Sequence, residues 1–290
     1  MIELIKNFDL FQRLTVVTHQ ASTQQIVIWG VSLPTVALQQ AEINYLEKAV
    51  TLERPPVEWI WQEMDRVWNA LGLENGRALQ GQSIGEFYSH PVWVVNGVFS
   101  AVDPVSVQHR DSIVEFVSRI GMKRVADYGG GFGELALRLH AVAPKIQIDI
   151  VEPYPSKLGM LRVAGKAGIQ FINELDGQYD CVIAQDVLEH VEQPLLLTEQ
   201  MVQAVKMGGH LIFANCFYPV IKCHLPSTFY LRHTFNCVVR GMGLKFEGRV
   251  DGANHALVFK RVGKIEENKL ILLNSIAKLI GPLLNTMKCF

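Results

Sequence analysis

The chain is poor in features that would commit it to several function classes. Five cysteines (Cys181, Cys216, Cys223, Cys237 and Cys289) stand among 290 residues, and none is spaced C-x-x-C. An odd count without paired spacing argues against a disulfide framework. The opening MIELIKNFDL lacks the pattern of a signal peptide, so a reduced, cytoplasmic setting is expected. A net charge of −1, with 19% charged residues, leaves no basic excess for gripping a phosphate backbone, and nucleic acid is not an expected partner. The apolar run over residues 26–38 is broken by Gly30, Ser32 and Pro34 and is too short to span a bilayer. No transmembrane segment is expected. Strand-like alternation is scarce before residue 120, whereas residues 35–73 repeat apolar positions at helical spacing, as do Ile2, Ile5, Leu10, Phe11 and Leu14. The N-terminal part therefore reads as an α-helical domain.

What is present is organised around residues 125–139, VADYGGGFGELALRL. This reads as a buried strand ending at Asp127, a glycine turn, and a helix that starts near Gly133. Gly129, Gly131 and Gly133 alternate through the turn, with Gly130 between the first two. Glycine at this density lets the backbone take positive φ and lets a ligand approach it closely, while the helix points free N–H groups back over the turn. A dinucleotide fingerprint needs G-x-G-x-x-G, but counting from Gly129 the third position is Glu134. The pattern is instead D-x-G-x-G-x-G. A carboxylate at that strand tip disfavours a pyrophosphate and suits a ligand that carries an ammonium group.

Beyond a leading helix over residues 108–121, strands and helices alternate. Strands are expected at 124–128, 147–151, 169–172, 181–185 and 210–214, and helices at 134–143, 155–167 and 194–206. Continuous apolar strands between amphipathic helices make a parallel sheet covered on both faces. A helix near residues 229–241 precedes two strands, 245–250 and 256–262, joined by Asp-Gly-Ala-Asn, which is hairpin chemistry. Residues 268–290 are apolar at helical spacing, with Pro282 inside. They are expected to pack on their own domain, docking on a partner subunit (a possible homodimer) or a membrane being the alternatives.

The glycine turn, the terminal hairpin and the stretch Gln185-Asp-Val-Leu-Glu-His-Val191 together resemble the class I S-adenosylmethionine-dependent methyltransferases, in their small-molecule branch. The resemblance covers about residues 108–262. It implies an α/β fold, a doubly wound, mostly parallel seven-stranded sheet ending in an antiparallel hairpin, with the α-helical N-terminal domain attached. The domains would be 1–107, 108–263 and a terminal amphipathic helix, 264–290. It also implies S-adenosylmethionine as cofactor, bound by Asp127, Gly129, Gly130, Gly131 and Gly133. Glu152, before Pro153 at the end of the second strand, would accept the ribose hydroxyls. Asn173 or Glu174 would meet the adenine, and Gln185 and Asp186 would line the cofactor.

His190 is a candidate base or a backbone organiser, and His224 a second base. Tyr88, His90 and Trp93 sit in a stretch that is either a lid or an aromatic hinge. Phe217, Tyr218 and Lys222 are substrate-side candidates, Lys222 being equally well a solvated surface residue. Cys216, Cys223 and His224 lack the spacing and the fourth ligand of a structural zinc site, so no metal is expected. The implied reaction is in-line methyl transfer to an oxygen, nitrogen or carbon of a small or carrier-bound acceptor. A non-catalytic cofactor-binding protein and, behind it, a nicotinamide oxidoreductase are the rival readings.

Overall fold

The computed structural model describes residues 25–49, 53–75 and 82–287. The helical pattern expected in the first twenty residues, and Cys289, lie outside them. A seven-stranded sheet forms the centre, in the order β5-β4-β3-β6-β7-β9-β8. Its strands are β3 (Arg124–Tyr128), β4 (Gln147–Val151), β5 (Ile169–Ile172), β6 (Tyr179–Gln185), β7 (Val205–Ala214), β8 (Leu244–Val250) and β9 (Ala253–Arg261). The first five are parallel, and β9 runs antiparallel to both β7 and β8. The expected doubly wound sheet with a terminal hairpin is therefore the one observed.

The chain leaves β3 outward to β4 and β5, then crosses back to β6 on the other side of β3. That reversal opens a crevice at the carboxyl ends of β3 and β6, where ligands bind in open α/β sheets. Apolar side chains of both sheet faces are buried, Val125, Ile148 and Ile183 on one side and Ala126, Val182 and Phe213 on the other. Helix Pro104–Ile120 leads into the sheet. Asp103 caps it by accepting from Ser106 N at 3.0 Å, Pro104 fills its first turn, and Gly121 ends it in the left-handed conformation.

The N-terminal part is helical at Gln40–Ala49, Val57–Ala70, Gln82–Tyr88 and Val92–Val102. It also contains a two-stranded hairpin, β1 (Gln25–Ile28) and β2 (Val31–Pro34), which the helical reading of this region did not include. Trp29 and Gly30 both have positive φ, 47° and 84°, the turn that matches the twist of paired strands. Tryptophan is an uncommon residue for that conformation, so the sequence carried no turn signal there. The helix expected near residues 229–241 is instead broken into short turns, 226–231, 235–238 and 239–242.

The last helix, Glu267–Met287, is long and apolar enough to cross a membrane by length and composition alone. The helix packs on the turns at 226–242.

Candidate functional site

The site grows from the turn after β3. Gly129, Gly131 and Gly133 all have left-handed φ, 69°, 53° and 74°, which only glycine adopts without strain. A Cβ on Gly130 would stand 2.6 Å from Asp127 Oδ2 and 2.8 Å from Ile150 Cγ2, so the turn wraps tightly around the carboxylate. Helix Glu134–Val142 then starts from Gly133 with no side chain capping its first turn, leaving N–H groups for a ligand. Pairing of Tyr128 with Ala184 sets this turn beside the loop that leaves β6.

Asp127 is 4% exposed, and its Oδ2 has no hydrogen-bond partner among the described residues. Burial, followed by the neighbouring Glu152 carboxylate, lifts its pKa to about 7, with Arg110 opposing. A buried carboxylate oxygen without a donor is costly, and an ammonium group over the turn would supply both the charge and the donor. Glu152 is tied into the same cradle: Oε2 accepts from Gly131 N at 3.0 Å and Oε1 from Tyr154 N at 3.2 Å. Burial raises its pKa while these two bonds oppose the rise. Pro153 follows it on the exposed rim, as does Asn173 beyond the tip of β5.

The loop after β6 supplies the second half. Gln185 closes the strand, and Asp186 takes a positive φ of 51°, a conformation uncommon for a residue with a side chain, held by its N–H donating to Ala214 O at 2.7 Å. Asp186 is solvent-accessible, although protein packs around its carboxylate. Asp186 and Glu189 lie close enough to interact, and burial raises both, Glu189 to about 8. Glu189 Oε1 accepts from Cys216 N at 2.7 Å, so this carboxylate also braces the loop after β7.

His190 and His224 meet here, with ring centroids 4.9 Å apart. His190 Nδ1 lies 3.1 Å from Cys223 O and His224 Nδ1 lies 3.0 Å from Tyr218 O. A carbonyl can only accept, so each Nδ1 carries the proton and each Nε2 is left as an acceptor. Burial, then His224, drives the His190 pKa down to about 3, and burial also lowers that of His224. Both shifts favour the neutral ring.

The N-terminal helices close over this pair. Trp93 meets His190 edge-on at 6.4 Å, Tyr88 stacks on Trp93 at 5.4 Å, and Tyr88 stacks in turn on Tyr154 at 5.9 Å. An aromatic wall thus runs from the Glu152 cradle to the histidines. Burial raises the pKa of Tyr88, with smaller contributions from Cys223, Tyr154, Glu189 and Glu152.

Three expected substrate-side residues lie elsewhere. His90 accepts from Val92 N at 3.0 Å and packs edge-on against Tyr45, so it caps the helix Val92–Val102 rather than lining the cleft. Phe217 is 3% exposed and packs on Phe235 in the core under the sheet. Lys222 is bound to the N-terminal helix Val57–Ala70 through Asn69 at 2.6 Å, its backbone N–H donating to Asp65 at 2.7 Å. Tyr218 is 40% exposed, lies under the Arg232 guanidinium, and remains on the rim.

Potential ligand atoms of Glu189, Cys216 and His224 lie within 4.8 Å of one another, whereas Cys223 belongs to the N-terminal core cluster. Burial raises the Cys216 thiol to about 12, which keeps it protonated. A pocket of about 430 Å³ lined by Tyr45, Lys48, Trp59, Glu63 and Arg66 sits on the N-terminal helices rather than over the glycine turn.

Three contributors were not found in the sequence. Arg110 of the leading helix is buried near Asp127 and donates to Ser100 O. Tyr154 ends the aromatic wall. Phe132, inside the glycine turn, packs where any side chain at Gly97 would stand, and so keys the N-terminal helices to the cofactor turn. The glycine at 97 and the phenylalanine among glycines were visible signals, but only the fold pairs them.

Residues 107–229 match a protein family described as "Methyltransferase domain". Over 160 residues the chain is 28% identical to the ubiquinone biosynthesis O-methyltransferase of Hydrogenovibrio crunogenus, a stretch that covers 51% of this chain and 65% of that protein. The match thus spans just under two thirds of the relative's length. Two solved structures share the fold at low identity. LaPhzM superposes with a TM-score of 0.51 at 16% identity, covering 72% of this chain and 73% of its own. TnmH gives 0.51 at 14% identity, covering 74% and 76%.

Proposed function

We propose that the protein, whose residues 107–229 match a methyltransferase domain family, is a class I S-adenosylmethionine-dependent enzyme that methylates an oxygen of a small, largely apolar acceptor. When bound, S-adenosylmethionine supplies a methyl group activated on a sulfonium. The chain fits it: Asp127 offers an unpartnered buried carboxylate oxygen to an ammonium, Glu152 offers its carboxylate to a ribose, and the tight glycine turn lets a ligand rest on the backbone.

The observation that carries the choice of an oxygen acceptor is the neutral histidine pair. A hydroxyl must give up its proton as it attacks, and His190 presents Nε2 for it, with Nδ1–H fixed on Cys223 O. Positive charge then passes from the donor to the imidazole, so the cleft's total charge is unchanged. Trp93 and Tyr88 hold a flat acceptor against the histidines and keep water out. Held geometry of this kind is worth roughly 7–11 kcal/mol of barrier. The relative's printed name, an O-methyltransferase, agrees with this reading.

The test is a panel of hydroxylated, aminated and carbon-nucleophile aromatics, read by acceptor mass and by release of S-adenosylhomocysteine. Methylation confined to hydroxyl acceptors supports the reading. Methylation of amines alone overturns the oxygen assignment, and cofactor binding without turnover on any acceptor points to a binding protein.

A further inference from the structure

The terminal helix Glu267–Met287 is turned inside out for a helix in water. Its inward face is mostly small and polar beyond Leu270, which is buried in the core. Ala277 and Gly281 are buried, and a Cβ on Gly281 would overlap the carbonyl oxygen of Tyr230. Asn274 Oδ1 accepts from the Tyr230 hydroxyl at 2.9 Å, and Asn285 Nδ2 donates to Phe229 O at 3.0 Å. The backbone of Leu270 lies 2.7 Å from where a Cβ on Gly241 would stand, so only glycine admits the helix there. These contacts fix the rotation of the helix about its axis.

The outward face is what such a helix normally buries. Ile271, Leu272, Ile276, Leu279, Leu283 and Met287 are all exposed, Leu279 at 74% and Leu283 at 62%. Only 17% of the most apolar 18 residues is buried. The two hydroxyls on the exposed side donate back to the helix itself, Ser275 to Ile271 O and Thr286 to Leu283 O, each at 2.8 Å. That is how serine and threonine satisfy themselves where water is scarce.

Charge indicates the occupant. No acidic residue follows Glu267 to the end of the chain, while Lys278 and Lys288 do; Lys269 is paired with Glu266 at 2.8 Å. The turns beneath the helix, residues 226–242, add exposed Arg232 and Arg240 and hold no acid. The acids Glu266, Glu267 and Glu199 gather at the start of the helix, and the apolar strip beyond its first turn, beside cations and without acids, is complementary to an anionic lipid surface. Pairing the same face with a second copy would set like charges against each other. We propose that this helix lies in the interfacial plane of a membrane containing anionic lipid, its leucines and isoleucines in the acyl boundary, while its small face stays on the domain. Crossing the bilayer would break the Asn274 and Asn285 contacts, so the helix lies on the surface.

The experiment pellets the full-length protein with vesicles of phosphatidylcholine containing phosphatidylglycerol, or of phosphatidylcholine alone, at low and high salt. Light scattering and S-adenosylhomocysteine titration run beside it. The wild type should partition to the anionic vesicles and be released by salt. The double variant Leu279→Glu/Leu283→Glu should lose at least about tenfold in partitioning while its Tm and ligand affinity stay unchanged. Equal partitioning to neutral vesicles overturns the charge argument. Equal partitioning of variant and wild type, or none by the wild type, overturns the proposal. A dimer that the variant splits, without vesicle binding, assigns the face to a second copy instead. Because ligand affinity is read separately, failure here leaves the methyl-transfer reading untouched, and the reverse also holds.

Discussion

Asp127 concentrates the physics of the site in one residue. Its carboxyl sits near pKa 7 because it is buried beside Glu152, and one of its oxygens has no partner. A folded-state pKa above the unfolded value of about 3.9 means that the unfolded chain sheds this proton first as pH rises. The free protein therefore loses stability from this group as pH climbs from about 4 to 7, and an ammonium ligand offsets the loss. Three outcomes are expected. Affinity for S-adenosylmethionine should rise as pH is taken from 6 to 8 and then level off, read by calorimetry. Asp127→Asn should weaken that affinity at least about tenfold, the scale of losing a charge-assisted bond. The same variant should raise the melting temperature of the free protein at pH 8, by roughly 2–4 °C per kcal/mol gained in a chain of this size.

His190 belongs to the same scale. Its ring is neutral, and its tautomer is set by Cys223 O. His190→Ala should leave cofactor affinity within about twofold and lower kcat by roughly 10²–10⁴-fold, the usual worth of a positioned base. An unchanged kcat would make the ring an organiser of the loop. His224 then becomes the group to remove.

At the scale of elements, Gly97 and Phe132 couple the helix Val92–Val102 to the cofactor turn. A side chain at position 97 must displace the Phe132 ring, and Phe132 lies between Gly131 and Gly133. Gly97→Val should cost about 1–3 kcal/mol of stability by overpacking and should also weaken S-adenosylhomocysteine binding, although residue 97 lies on another element. Thermal melts and calorimetry on one sample separate the two effects. If stability falls but affinity does not, the helix only covers the turn.

The same scale shows which elements could be read in advance. Strands β3, β4 and β5 match their expected bounds, each ending beside a polar residue, Asp127, Glu152 or Asn173. The hairpin at 25–34 was missed because its turn uses Trp29 at positive φ, against the preference of its residue type. The broken turns at 226–242 were read as one helix because their apolar spacing suits either form, and packing on the terminal helix decides between them.

For the whole molecule, the cofactor half of the cleft was legible because each residue lies at a strand end within a local pattern. Arg110, Gly97, Phe132 and Tyr154 were not, since their roles arise from packing between elements far apart in the chain. The same reason removed His90, Phe217 and Lys222: residue type suggested chemistry, whereas helix capping, core packing and a tie between elements took them. The aromatic wall of Trp93, Tyr88 and Tyr154 joins the two halves of the chain above the crevice.

The central claim is that the crevice over the glycine turn holds S-adenosylmethionine through Asp127. Calorimetric titration of the wild type and of Asp127→Asn with S-adenosylmethionine, S-adenosylhomocysteine and NADH tests it directly. Saturable one-to-one binding of the two adenosyl ligands by the wild type, at least tenfold weaker in the variant and with no heat from NADH, is the predicted result. Equal affinity in the two proteins, or binding of NADH alone, would contradict it.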